Sequence, residues 1–80
     1  MINDKIYASS AKTFRLWELL YMVDKGFVVN GDMFKAINIP INMIIKYEDG
    51  QFIYEDCMGN KGKTVSLCSE MECDWIELIA

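Results

Sequence analysis

Between "MIIKYE" and "QFIYED" lies the dipeptide Asp49-Gly50. A type I′ turn needs positive φ at both central residues, and Asp-Gly is among the few pairs that adopt it with little strain. A two-residue loop there sets the register of its flanks, with Glu48 opposite Gln51, Tyr47 opposite Phe52 and Ile45 opposite Tyr54. Side chains alternate along a strand, so Met43, Ile45, Tyr47, Phe52 and Tyr54 share one face. Ile41, Ile39 and Ile37 continue that parity backwards, leaving Asn38, Pro40 and Asn42 on the other side. Pro40 lacks the N–H that a ladder needs, so the extended stretch is expected to break, bulge or run at an edge there. Asn30-Gly31 is a second two-residue turn signal of the same type. Two later strands are expected at about 63–68 and 74–79, with one helical turn in "SEMEC" between them, capped by Ser69.

The hairpin face needs an apolar counterpart, and "TFRLWELLYMVDKG" supplies one as an amphipathic helix over 13–25. Thr13 is placed to cap it, Lys25 suits the C-terminal end of the dipole, and Gly26 suits a left-handed stop. Leu16, Leu20 and Val23 fall on one stripe, flanked by Trp17, Leu19 and Tyr21. So broad an apolar face packs on the sheet or on another subunit. The expected fold class is α+β, one amphipathic helix on a small antiparallel sheet built from hairpins. Eighty residues, half of them apolar, make a single domain, 1–80. Within it, 1–12 form a leading strand or an arm and 26–80 form antiparallel strands and turns.

Several functions are disfavoured by what the chain contains. Gly62-Lys63-Thr64 reads like the end of a P-loop, but Cys57 stands where that loop needs its first glycine. The residues after Lys63 are β-branched and alternating, so Gly59, Asn60 and Gly62 are read as a turn between strands. Histidine is absent, which removes the commonest general base. Cys57, Cys68 and Cys73 lack the paired spacing of a zinc site and are expected to be free thiols. Acidic pairs such as Glu48-Asp49 and Glu55-Asp56 sit at turns and element ends, where solubility explains them. The expectation is no enzyme, no metal and no cofactor. Residues 1–46 carry six basic against four acidic side chains and residues 47–80 two against eight, that is +2 and −6. An acidic half argues against a nucleic-acid backbone as partner. No apolar run is long enough to span a bilayer and no signal peptide is evident, so a cytoplasmic, non-membrane protein is expected.

Binding is easier to build. Trp17 is read first as a core anchor, whereas Trp75, between Asp74 and Glu77, stands as evenly for a half-covered binding residue. "FRLWELLYMVDKG" and "LCSEMECDWIELI", about a third of the chain, resemble the two signatures of small phage-encoded proteins around the Thoeris anti-defence type-two family. The positions that carry the resemblance are Trp17, Glu18, Leu19, Leu20 and Gly26, then Ser69, Glu70, Met71, Asp74, Trp75 and Glu77. Where such proteins usually show a basic residue and a Trp after the helix, this chain has "FVVNGDMF". The resemblance implies a homo-oligomer that sequesters a host immune signal, a cyclic nucleotide or ADP-ribose derivative, between subunits without cleaving it. On that reading Arg15, Lys61 and Lys63 meet phosphates, Tyr47 or Trp75 stacks on a base, and Asp74 stands beside them. The alternative is a small acidic protein-interaction module that inhibits a host protein in the host cytoplasm by covering it. A third possibility is an assembly subunit.

Overall fold

The computed structural model describes residues 12–66 and 70–78. Among the described residues are one helix, α1 (Leu16–Asp24), and four strands: β1 (Met33–Ala36), β2 (Ile44–Glu48), β3 (Gln51–Asp56) and β4 (Trp75–Leu78). The strands form one sheet in the order β3-β2-β1-β4, and every neighbouring pair is antiparallel. The architecture is α+β, as expected.

The Asp49-Gly50 turn has both residues at positive φ, 51° and 88°. It sets the register anticipated from the sequence: Glu48 faces Gln51, Tyr47 faces Phe52 and Ile45 faces Tyr54. Ile44 then pairs with Asp56, so Glu55 is left over as a bulge. Upstream the expected parity fails. Ala36 N–H donates to the Met43 carbonyl at 3.0 Å, which closes a loop over 37–42 between β1 and β2. Ile37 and Ile41 are exposed and Ile39 is half-buried, so these isoleucines belong to a bend around Pro40 rather than to a strand. Asn30-Gly31 is not a hairpin turn either. Only its glycine has positive φ, and it leads from the helix segment into β1.

β3 gains a partial neighbour on its outer side. Thr64 forms an isolated bridge to Ile53, supported by Tyr54 N–H to the Lys63 carbonyl (2.8 Å) and Val65 N–H to the Phe52 carbonyl (3.0 Å). The strand expected at 63–68 is therefore only this contact over 63–66, and its remainder lies outside the described residues. The turn after it closes with Cys73 N–H on the Glu70 carbonyl at 3.3 Å, while its expected cap, Ser69, lies outside the described residues. So does the expected arm, apart from Lys12.

The helix starts three residues later than Thr13, because Phe14 is held elsewhere. Phe14 and Trp75 exchange backbone hydrogen bonds of 2.8 and 2.7 Å, which keeps that residue extended along β4. Arg15 becomes the N-cap, and the Glu18 carboxylate accepts its N–H at 2.7 Å. A guanidinium has no acceptor, so only this half of a capping box is made. At the other end Gly26, at φ 81°, allows Phe27 N–H to reach the Met22 carbonyl (2.8 Å) and its own N–H to reach Val23 (3.1 Å). This is a Schellman closure.

Leu16 and Leu19 from α1 and Phe34, Ala36, Ile45, Phe52, Tyr54 and Trp75 from the sheet form the core, joined by Val28, Met43, Cys57, Val65 and Cys73. Met22 and Val23 pack against it in part. The opposite sheet face carries Met33, Lys35, Ile44, Lys46, Ile53 and Leu78, all half-buried, with Ile76 buried.

Candidate interaction surface

One face of α1 covers the core and the adjacent face presents apolar side chains to solvent. Leu16 and Leu19 are buried, whereas Trp17 is 65 % exposed, Tyr21 56 % and Leu20 40 %. Trp17 precedes Leu20 by three residues and Tyr21 by four, so the three adjoin one another on the helix surface. The Lys25 ammonium sits 5.4 Å from the Tyr21 ring centroid, closing the far end of this strip with a cation–π contact. Beside the strip lies a groove of about 190 Å³ between α1 and the β2–β3 hairpin. Leu20, Val23, Tyr47, Phe52 and Val65 line it with Gly50, Gln51 and Thr64, and among the described residues no charged side chain contributes. Tyr47 packs edge-on against Phe52 there, ring centroids 5.2 Å apart.

The residues expected to bind a nucleotide are dispersed. Arg15 and Asp74 do meet, as a 2.9 Å ion pair, and the Arg15 guanidinium also donates to the Glu72 carbonyl at 3.3 Å. Asn38 joins them, donating to the same carbonyl at 3.1 Å and accepting Asp74 N–H at 2.9 Å. This cluster ties the start of α1 and the 37–42 loop to the approach of β4, and it engages the guanidinium that phosphates would need. Trp75 is fully buried, contrary to the expectation of a half-covered stacking residue. Its ring belongs to the core, and its Nε1 has no acceptor among the described residues. Lys61 lies 3.9 Å from Glu55 on β3, and Lys63 directly precedes the Thr64 bridge on that same side. The strand order puts β3 and β4 at opposite edges, so these lysines and Arg15 do not converge in one chain. Tyr47 alone of the expected set lines a groove with the helix.

Two wider grooves, about 320 and 550 Å³, flank the 37–42 loop. The larger is bordered by Glu70 and Glu72, carboxylates that repel an anionic ligand. Glu70 is buried, and its oxygens accept from the Tyr54 hydroxyl at 2.6 Å and the Cys73 thiol at 3.5 Å. Burial first, and then the bond to Glu70, push Tyr54 up to about 12 and the Cys73 thiol up to about 11. Both groups stay protonated at neutral pH and act as donors: the Tyr54 hydroxyl ties the 70–73 turn to β3, and the Cys73 thiol donates within that turn. Cys57 and Cys73 are free and buried, and the third cysteine, Cys68, lies outside the described residues. Among the described residues no group of three or more His, Cys, Asp or Glu side chains is placed to hold a metal ion. None of their helices is long and apolar enough to cross a membrane.

No protein-family model, curated protein or solved structure matches this chain. Sequence reasoning put Leu20 in the core and read Trp17 first as a core anchor. A signal for their exposure existed. Leu16, Leu19 and Val23 recur at the same helical spacing as Leu16, Leu20 and Val23, and choosing the former turns Trp17 and Tyr21 outward.

Proposed function

We propose that this chain is a small acidic protein-interaction module that acts by covering a partner protein, with the outer face of α1 as its contact surface. The observation that carries this is the adjoining set Trp17, Leu20 and Tyr21, exposed beside an uncharged groove. Isolated exposed apolar residues are ordinary on a monomer, but adjoining aromatics beside a groove mark recognition sites. Tryptophan and tyrosine dominate interface hot spots, because they bury much area with few rotatable bonds. The sequence resemblance adds a setting, a phage protein that blocks a host defence component. Its other implication, a nucleotide held between subunits, draws less support from this chain, because the Arg15 guanidinium is engaged by Asp74.

Native mass spectrometry of the protein purified from the cells that express it tests the reading. A stoichiometric protein partner is expected, lost with Trp17→Ala/Tyr21→Ala and retained with Ile37→Ala, while all three proteins stay folded by circular dichroism. Hot-spot truncation of this kind costs about 2 kcal/mol or more of binding. An oligomer carrying only a small released ligand would instead favour signal sequestration.

A further inference from the structure

The groove beside Leu20 points to the kind of partner that docks there. We infer that it takes one aliphatic or aromatic side chain from a short linear segment of a partner protein, with Trp17 and Tyr21 flanking the bound segment. This deepens the protein-binding reading above and rests on it.

Size decides first. Clefts that enclose a nucleotide or cofactor hold roughly 300–1,000 Å³. At about 190 Å³ this groove is smaller, on the scale of a single large side chain. Lining chemistry decides next. Leu20, Val23, Phe52 and Val65 supply apolar walls, and none of the described lining residues carries a charge to neutralise an ionised anchor. At the rim, the Thr64 hydroxyl stands 3.4 Å from the Gln51 side-chain oxygen. Both are exposed, so they offer uncharged donors and acceptors to a peptide backbone lying across the opening.

Area separates a segment from a second copy of the chain. At roughly 150–250 Å² per aromatic side chain, the exposed parts of Trp17, Tyr21 and Leu20 sum to about 300–400 Å². A stable interface between folded proteins buries about 800 Å² per partner. The strip is half that or less, too little for a self-paired dimer and suited to one anchor residue with its neighbours.

The test is an NMR titration of the isotope-labelled full chain with N-acetyl-leucinamide and N-acetyl-phenylalaninamide, with adenosine monophosphate as a third probe. Shifts from either amide confined to Leu20, Val23, Tyr47, Gln51, Phe52, Thr64 and Val65 are expected, with millimolar affinity. Leu20→Glu, a change at a half-exposed position, should weaken them at least ~10-fold, and Ile37→Glu should leave them unchanged. Groove signals unmoved by both amides overturn the inference, and so does movement by the nucleotide alone. Groove signals that shift on raising protein concentration, with a dimer in sedimentation, make the occupant a second copy and also overturn it. Partner capture that depends on Trp17 while both amides leave the groove unmoved would sink the anchor and keep the protein-binding reading. Amide binding at the groove without any captured partner would do the reverse.

Discussion

The two tryptophans take opposite roles from those their neighbours suggest. Trp75, flanked by Asp74, is fully buried, and Trp17, inside an apolar helix pattern, is 65 % exposed. Trp75→Ala should therefore cost about 3–5 kcal/mol by urea denaturation, whereas Trp17→Ala should stay within ~0.5 kcal/mol. Trp17→Phe should leave an emission spectrum shifted to the blue, since the remaining indole has no contact with water. Tyr54 offers a second residue-scale test. Tyr54→Phe removes the donor to buried Glu70 and should cost about 1–3 kcal/mol. The same cluster dictates alkaline behaviour. Tyr54 is raised from 10.0 to about 12 and Cys73 from 9.0 to about 11, so the folded state holds these protons more tightly than the unfolded chain. Their stabilisation is complete below pH 9 and is lost as pH rises towards 12. Urea midpoints measured across that window should fall, and Cys73→Ala should flatten the part between pH 9 and 11.

At the scale of elements, the hairpin was legible and its upstream extension was not. Asp49-Gly50 is a local signal, since the φ values it permits depend on no distant residue. Gly50→Ala tests this cleanly. A Cβ there would meet nothing within 4 Å, so the cost is torsional alone, about 1–2 kcal/mol in a denaturation curve. The run from Ile37 to Ile41 kept the parity of β2 in sequence, yet it forms the loop that joins β1 to β2. Periodicity does not say which strand a residue pairs with, and here β1 takes its partners from β2 and β4 on either side. β1 itself is short, and the alternation of buried Phe34 and Ala36 with half-buried Met33 and Lys35 is hidden in the sequence, where Met33 is apolar. The helix was legible as a helix and misread in rotation and start. Its start depends on Phe14, which pairs with Trp75 from the far end of the chain.

Across the whole molecule, charge is uneven, +2 over residues 1–46 and −6 over residues 47–80. The second half carries the excess of carboxylates, and the lysines and arginine closest to them are taken up in ion pairs: Arg15 with Asp74, Lys46 with Glu48 and Glu55, Lys61 with Glu55. On the proposed protein-binding reading, association with a basic partner should slow as salt rises, by roughly 10-fold or more between low and high ionic strength, measured as the association rate by stopped flow. Hydrogen exchange should be slowest at the centre of β1 and β2, which are flanked on both sides, and faster at Glu77 on edge strand β4. The sequence by itself determined the fold class, the hairpin register and the C-terminal stop of the helix, because each rests on backbone preferences acting over a few residues. It did not determine which tryptophan is buried, where Arg15 spends its charge, or that Lys61 and Lys63 lie at the edge opposite Asp74. Those depend on strand order, and strand order is decided by how the whole apolar surface is best buried, not by any local stretch.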